Sequence, residues 1–186
     1  MNIFVLDNDP VKAVQLQCDK HIVKMIVESA QMLSTTHRIL DGKMTIKLSK
    51  SGKRKVKYWS MPDFFDDVFY KAVHMNHPCT VWTRECSANY IWHYDHFIAL
   101  CDEYTFRYGK VHASFLKLGH HLKNLPKNIR KSDELTKFPL AMPDECKVSN
   151  DPVVCYRNYY QTKQDRFTMK WTGRSMPDWF IPKEAA

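Results

Sequence analysis

Glycine is scarce, at 5 of 186 residues. A doubly wound nucleotide-binding sheet draws on glycine for its turns and phosphate loops, and neither G-x-G-x-x-G nor a Walker A pattern occurs. No apolar run approaches the ~18 residues that a membrane span needs. Met1-Asn2-Ile3-Phe4-Val5-Leu6-Asp7 carries no basic n-region and no long apolar segment, so no signal peptide is expected. C-x-x-C, H-E-x-x-H and G-x-S-x-G are all missing. A nucleophilic serine or cysteine therefore has no support. Cysteines stand at 18, 79, 86, 101, 146 and 155. In a chain this long, with no leader, they are expected as reduced thiols in a cytoplasm.

What is present describes an ordinary globular protein: 44% hydrophobic and 26% charged residues. By area scaling, folding would bury about 70% of the unfolded surface, enough for one core. A single domain over 1–186 is expected. Lys and Arg number 28 against 20 Asp and Glu, a net charge of +8. That excess points to an anionic partner, nucleic acid first and a membrane surface second, or simply to a basic protein. Phe 10, Tyr 9 and Trp 5 suit stacking on bases, and equally suit a bulky core.

Residues 2–6 read as a first strand or an anchored arm. Asp9-Pro10 is a helix start. A helix is predicted from Val11 to about Leu40, with a break near Ser34-Thr35-Thr36. Its apolar positions are Leu16, Ile22, Ile26, Ser29 and Leu33, and His21, Met25, Glu28 and Met32 form the adjacent stripe. Residues 43–57 alternate around a Ser-Lys-Ser-Gly turn and read as a small hairpin, with seven Lys or Arg and no acid. It is either a solvated face or a flap that contacts phosphates through residues such as Lys53, Arg54 and Lys55. Further helices are predicted from Phe64 to about Met75, from Thr80 or Ser87 to Tyr108, from Ala113 to Leu122, and from Val154 to about Trp171. Residues 123–150 read as a long irregular loop, and an aromatic tail follows Gly173. The expected fold class is mainly α: a compact single-domain helical fold with one small basic β-hairpin.

Asp19-Lys20-His21-Ile22-Val23-Lys24-Met25-Ile26-Val27-Glu28 is the most informative segment. His21 and Glu28 are seven residues apart, about 10 Å along one helical face. A carboxyl partly buried beside methionines has a raised pKa and can act as general acid or base. The competing reading is a surface pair of Glu28 with Lys24 and a histidine bonded in the core. Cys18-x2-His21, His74-x2-His77 and His93-x2-His96 each fit a helical pair, but none has the spacing of a zinc site, and no metal or other cofactor is expected. His77-Pro78 through Arg84 places polar groups and a cation at a helix start, which is an anion site or a plain cap. Trp171, Arg174 and Trp179 form either a phosphate clamp or tail packing.

These residues resemble a known family. Asp19, Lys20 and His21, with Glu28 seven residues past the histidine, are similar to the motif of pyrimidine-dimer DNA glycosylase/AP lyases of the phage endonuclease V type. The family is found in phages, large viruses and some bacteria. The His77-Pro78 start and the aromatic helix after it resemble the bacterial branch. The likeness covers about half the chain, in three pieces. It implies a compact helical fold that binds double-stranded DNA, flips out a base and forms a Schiff base through an amine. Carried over, Glu28 is the catalytic carboxylate, His21 lies beside it, and the amine belongs to the chain start at Met1 and Asn2. Lys20, Lys24, Arg38, Lys53, Arg54, Lys55, His77, Arg84, Trp171 and Arg174 would face substrate and DNA. The resemblance also implies a monomer with no membrane association, in the host cytoplasm if phage-encoded.

This sequence departs from the family pattern in one respect. Phage members expose the amine of a small residue once Met1 is removed, and here residue 2 is Asn, which disfavours that removal. The retained Met1 amine, Lys20 or Lys24 then become the alternatives, or imine chemistry is absent. The hairpin at 43–57 and the loop at 123–150 also lie outside the pattern. Two other readings stand beside the glycosylase: a phage DNA-binding or DNA-base-modifying protein on the same scaffold without lyase chemistry, and a small protein that binds host components. The first reading requires Glu28 in a cleft close to the chain start with a basic rim. The last requires Glu28 exposed or salt-bridged, with no pocket.

Overall fold

A computed structural model describes residues 1–49 and 51–183. Lys50, one of the basic residues of the predicted hairpin, lies outside the described residues. The fold is mainly α, with seven helices and one antiparallel hairpin among the described residues. No helix among them is long and apolar enough to cross a membrane.

Residues 2–6 form no strand. They are an arm whose Ile3, Phe4, Val5 and Leu6 are all buried. Asn2 Oδ1 accepts the backbone N–H groups of Ile3 and Phe4 at 2.8 and 3.3 Å, and Phe4 sits at φ 52°. A left-handed phenylalanine is strained, and that strain is held where the arm meets the site described below.

Helix α1 (Pro10–Gln15) starts as predicted, with the Asp9 carboxylate accepting from the N–H groups of Val11 and Lys12. The predicted long helix breaks at Leu16–Cys18, however, and not near Ser34-Thr35-Thr36. The backbone groups freed there are taken by the C-terminal third of the chain. Cys18 N–H donates to the Tyr160 hydroxyl at 2.9 Å, Asp19 N–H to the Lys170 carbonyl at 2.8 Å, and Trp171 Nε1–H to the Leu16 carbonyl at 2.9 Å. Helix α2 (Asp19–Asp41) then runs through the threonines without interruption. Thr36 Oγ1 donates to the Met32 carbonyl, and Thr35 Oγ1 is bonded to the backbone of Val73 on a neighbouring segment. Twenty-three residues make α2 about 35 Å long, the spine of the core.

Strands β1 (Lys43–Leu48) and β2 (Lys55–Ser60) form the expected hairpin, with Lys43 opposite Ser60 and Leu48 opposite Lys55. Arg38 anchors its base. The guanidinium is fully buried and donates to the carbonyls of Tyr70, Trp59, Asp66 and Phe69 and to the Asp66 carboxylate, at 2.6–2.8 Å. Residues 66–70 wrap this charge. That is why the predicted helix from Phe64 to about Met75 stops after one turn, α3 (Phe65–Val68).

Helix α4 (Pro78–Thr83) is capped by His77 and α5 (Ser87–Tyr108) ends on Gly109 at φ 63°, a left-handed position suited to glycine. Helix α6 (Ala113–Leu122) follows its prediction. Helix α7 (Pro152–Gln161) is shorter than expected. It tightens into a 3-10 turn over Thr162–Asp165 and then unwinds, so that Phe167 and Trp171 pack back onto the core.

Candidate active site

Glu28 projects from α2 one turn after the buried Met25, and its side chain is 15% exposed. Oε2 faces the start of the chain, 3.5 Å from the Met1 ammonium and 3.2 Å from the Asn2 N–H, which donates to it. Oε1 lies 3.3 Å from Lys24 Nζ one turn back. One carboxylate thus meets a terminal amine on one side and a lysine on the other. The expected pair with Lys24 is present, but the second oxygen is committed to the chain start 26 residues away.

These groups open into a cavity of about 230 Å³ lined by Met1, Asn2, Phe4, His21, Lys24, Met25, Glu28, Tyr159, Lys163, Arg166 and Phe167. The strained arm, the middle of α2 and the end of α7 therefore converge on one spot. Among the described residues Glu28 is the only acid in the lining, against the amine of Met1, Lys24, Lys163 and Arg166. A larger hollow of about 430 Å³ lies between α1 and α5, but its walls carry Asp9, Asp95, Asp102 and Glu103. That acidic lining is wrong for a polyanionic partner.

His21 forms a wall. Its Nδ1 is 2.6 Å from the Tyr160 hydroxyl, whose oxygen also accepts from Cys18 N–H. Burial, reinforced by the positive charges of Lys163 and Lys24, lowers the His21 pKa to about 3. The ring is neutral at ordinary pH and packs against Phe4 and Phe167.

The predicted site residues fall into three groups. Met1, Asn2, His21, Lys24 and Glu28 meet in the cavity. Asn2 contributes its backbone N–H there, while its side chain caps the arm and donates to the Ala141 carbonyl. Lys20 stands over the outer wall, 4.6 Å from the Phe167 ring. His77 caps α4, and its pKa is lowered by burial and then by the terminal ammonium, with Glu28 opposing.

A second group points to solvent elsewhere. Lys53, Arg54 and Lys55 are exposed at the hairpin tip, whose base is about 20 Å along α2 from Glu28.

The third group makes its contacts within the fold. Arg38 is sealed in the core by its five hydrogen bonds, so it cannot contact DNA. Arg84 donates to the Met75 carbonyl and ties down the loop before α4. Arg174 grips both oxygens of the buried Glu103, and Trp171 is held on Leu16 and Phe180. Of the two readings of Trp171 and Arg174, these contacts are those of tail packing.

Comparison of the chain with protein-family models, with curated proteins and with solved structures found no match. The site therefore rests on its own geometry.

The pair His93 and His96 is taken up by the core, while His74 is exposed and His77 caps α4. His93 lies between the Ser29 and Thr83 hydroxyls at 2.8 and 2.7 Å, and His96 stacks on Trp92 beside Gln17. The described residues contain no group of three or more His, Cys, Asp or Glu placed to share an ion. All six cysteines are buried free thiols.

Sequence reasoning missed Tyr159, Lys163, Arg166 and Phe167. They read as the polar and aromatic middle of one long helix. Only the early end of α7 and the packing of its tail turn them toward Glu28.

Proposed function

We propose that this protein is a DNA glycosylase with AP lyase activity on damaged or modified pyrimidines, with the Glu28 cavity as its active site. One observation carries the reading: a shielded carboxylate lies 3.5 Å from an amine inside a cavity whose lining also brings Lys24, Lys163, Arg166 and several aromatic rings. Imine chemistry at a sugar needs a nucleophilic amine and a carboxylate that can move protons next to it. The cavity is smaller than the roughly 300–1,000 Å³ of pockets that enclose drug-sized ligands, a size suited to one deoxyribose or one base.

Double-stranded DNA as partner follows from the basic character of the chain and of the hairpin. Lys43, Lys47, Lys53, Arg54, Lys55 and Lys57 line a ribbon with no acidic residue, and in this reading they would contact phosphates away from the flipped nucleotide. Glu28 would stabilise positive charge at C1′ as the base departs, then take the C2′ proton during β-elimination. His21, fixed neutral, and Phe4 would wall the sugar from water.

The test uses one duplex with a single cyclobutane dimer and another with a single abasic site, each with sodium borohydride. A covalent protein–DNA band that disappears in Glu28→Gln supports the reading. Salt-sensitive binding without any band would remove the lyase step and favour a DNA-binding or base-modifying protein on this scaffold.

A further inference from the structure

Three cationic side chains are buried among the described residues: Arg38, Arg107 and Lys163. Arg38 is paired with Asp66, and Arg107 with Glu103 and Asp19. Lys163 has no carboxylate or hydrogen-bond acceptor among the described residues, although it is only 5% exposed. Its Nζ lies 3.3 Å from the centre of the Tyr159 ring and 5.9 Å from that of Phe4, and the residue lines the same cavity as Glu28. A buried lysine with no counter-ion is costly to the fold, and it is also the form of lysine that reacts with carbonyls.

We propose that Lys163 is the imine-forming amine of this cavity, and that its substrate is the C1′ aldehyde of an abasic deoxyribose. The assignment rests on the glycosylase–lyase reading above and changes which amine performs it. Met1 and Lys24 are both ion-paired to Glu28, and Lys20 stands outside over Phe167. An ion-paired ammonium must lose its proton and its carboxylate before it can attack, whereas Lys163 meets only the ring faces of Tyr159 and Phe4. Burial, with Arg166 and Lys24 nearby, lowers the Lys163 pKa to about 8. At pH 7 that leaves on the order of a hundredfold more free amine than an ordinary lysine offers.

The Nζ lone pair attacks C1′ of the open-chain sugar and a C–N bond forms. Both Nζ protons pass, relayed by Glu28, to the former aldehyde oxygen, which leaves as water. Protonation of the imine nitrogen by solvent acidifies C2′. Glu28 takes the C2′ proton, and the C3′–O bond breaks with its electron pair leaving on the phosphate. Water then adds to the imine, releasing the unsaturated aldehyde and restoring Lys163.

The experiment traps the imine on an abasic-site duplex with sodium cyanoborohydride, digests the DNA and the protein, and locates the sugar remnant by mass spectrometry. The expected result is a remnant on Lys163, absent from Lys163→Arg and Lys163→Met proteins that melt at the wild-type temperature. Trapping by the wild type should rise with pH and level off above about 8. A remnant on the Met1 amine that persists in Lys163→Arg would overturn the assignment and leave the lyase reading intact. No remnant on any residue would overturn the lyase reading itself. Reductive methylation with formaldehyde at pH 7, without DNA, is the second readout. Lys163 should label faster than exposed Lys12, and labelling no faster would overturn the reactive amine even if one variant fails to fold.

Discussion

Glu28 and Arg38 lie ten residues apart on one helix, and the fold uses their charges in opposite ways. Arg38 is spent on structure: five acceptors converge on it, four of them backbone carbonyls. Arg38→Met should lower unfolding stability by about 3–5 kcal/mol, read from urea midpoints, because it leaves four carbonyls without their donor and the Asp66 carboxylate without its counter-charge. A loss below ~1 kcal/mol would mean that these groups are rehydrated and the anchor is incidental. Tyr160 plays a similar part at the site. Its hydroxyl bridges Cys18 N–H and His21, so Tyr160→Phe should cost about 1–3 kcal/mol and loosen the break between α1 and α2. From sequence, Glu28 stood out through its interval from His21. Arg38 looked like a surface cation, since nothing local marks a charge whose five partners lie 21–32 residues further on.

At the scale of elements, what was legible is what local chemistry decides. Asp9-Pro10, His77-Pro78 and Asp151-Pro152 each start a helix, Gly109 ends one, and the lysine-rich alternation makes the hairpin. What was not legible is set by tertiary bonds. The break at Leu16–Cys18, the stop after Val68 and the early end of α7 are each held by groups distant in the chain. The last of these hid Lys163 and Arg166, half of the cavity's cations.

The hairpin gives this scale its own prediction. Lys53, Arg54 and Lys55 are exposed and make no ion pairs among the described residues. Replacing all three with alanine should leave the melting temperature unchanged and weaken duplex binding. The slope of log affinity against log salt should fall by up to about 2.7, at ~0.9 per phosphate contact. An unchanged slope would separate the hairpin from DNA.

Across the whole molecule, four buried histidines couple stability to pH. Burial lowers the pKa of His21 to about 3, of His37 to about 4 and of His96 to about 3, and it pushes His93 well below its ordinary value. In the unfolded chain each takes up a proton near 6.5. The unfolded state therefore binds more protons below that value, and stability is full above pH 6.5 and falls steadily toward pH 4. Each histidine can cost up to about 2 kcal/mol by pH 5. Urea midpoints at pH 7.5 and pH 5 should differ markedly, and Lys163 and the histidines act in opposite pH ranges, so the acid loss is separable from any alkaline gain in reactivity. A flat profile would mean that these rings are hydrated.

The central claim is that Glu28 performs elimination chemistry on DNA, and strand scission tests it most directly. A duplex with one abasic site is incubated with wild-type protein and with Glu28→Gln, and the cut ends are identified. The account predicts that the wild type leaves a 3′ unsaturated aldehyde and a 5′ phosphate, and that Glu28→Gln binds the duplex, melts like the wild type and leaves it whole. An uncut duplex with wild-type protein, or equal cutting by Glu28→Gln, would contradict it.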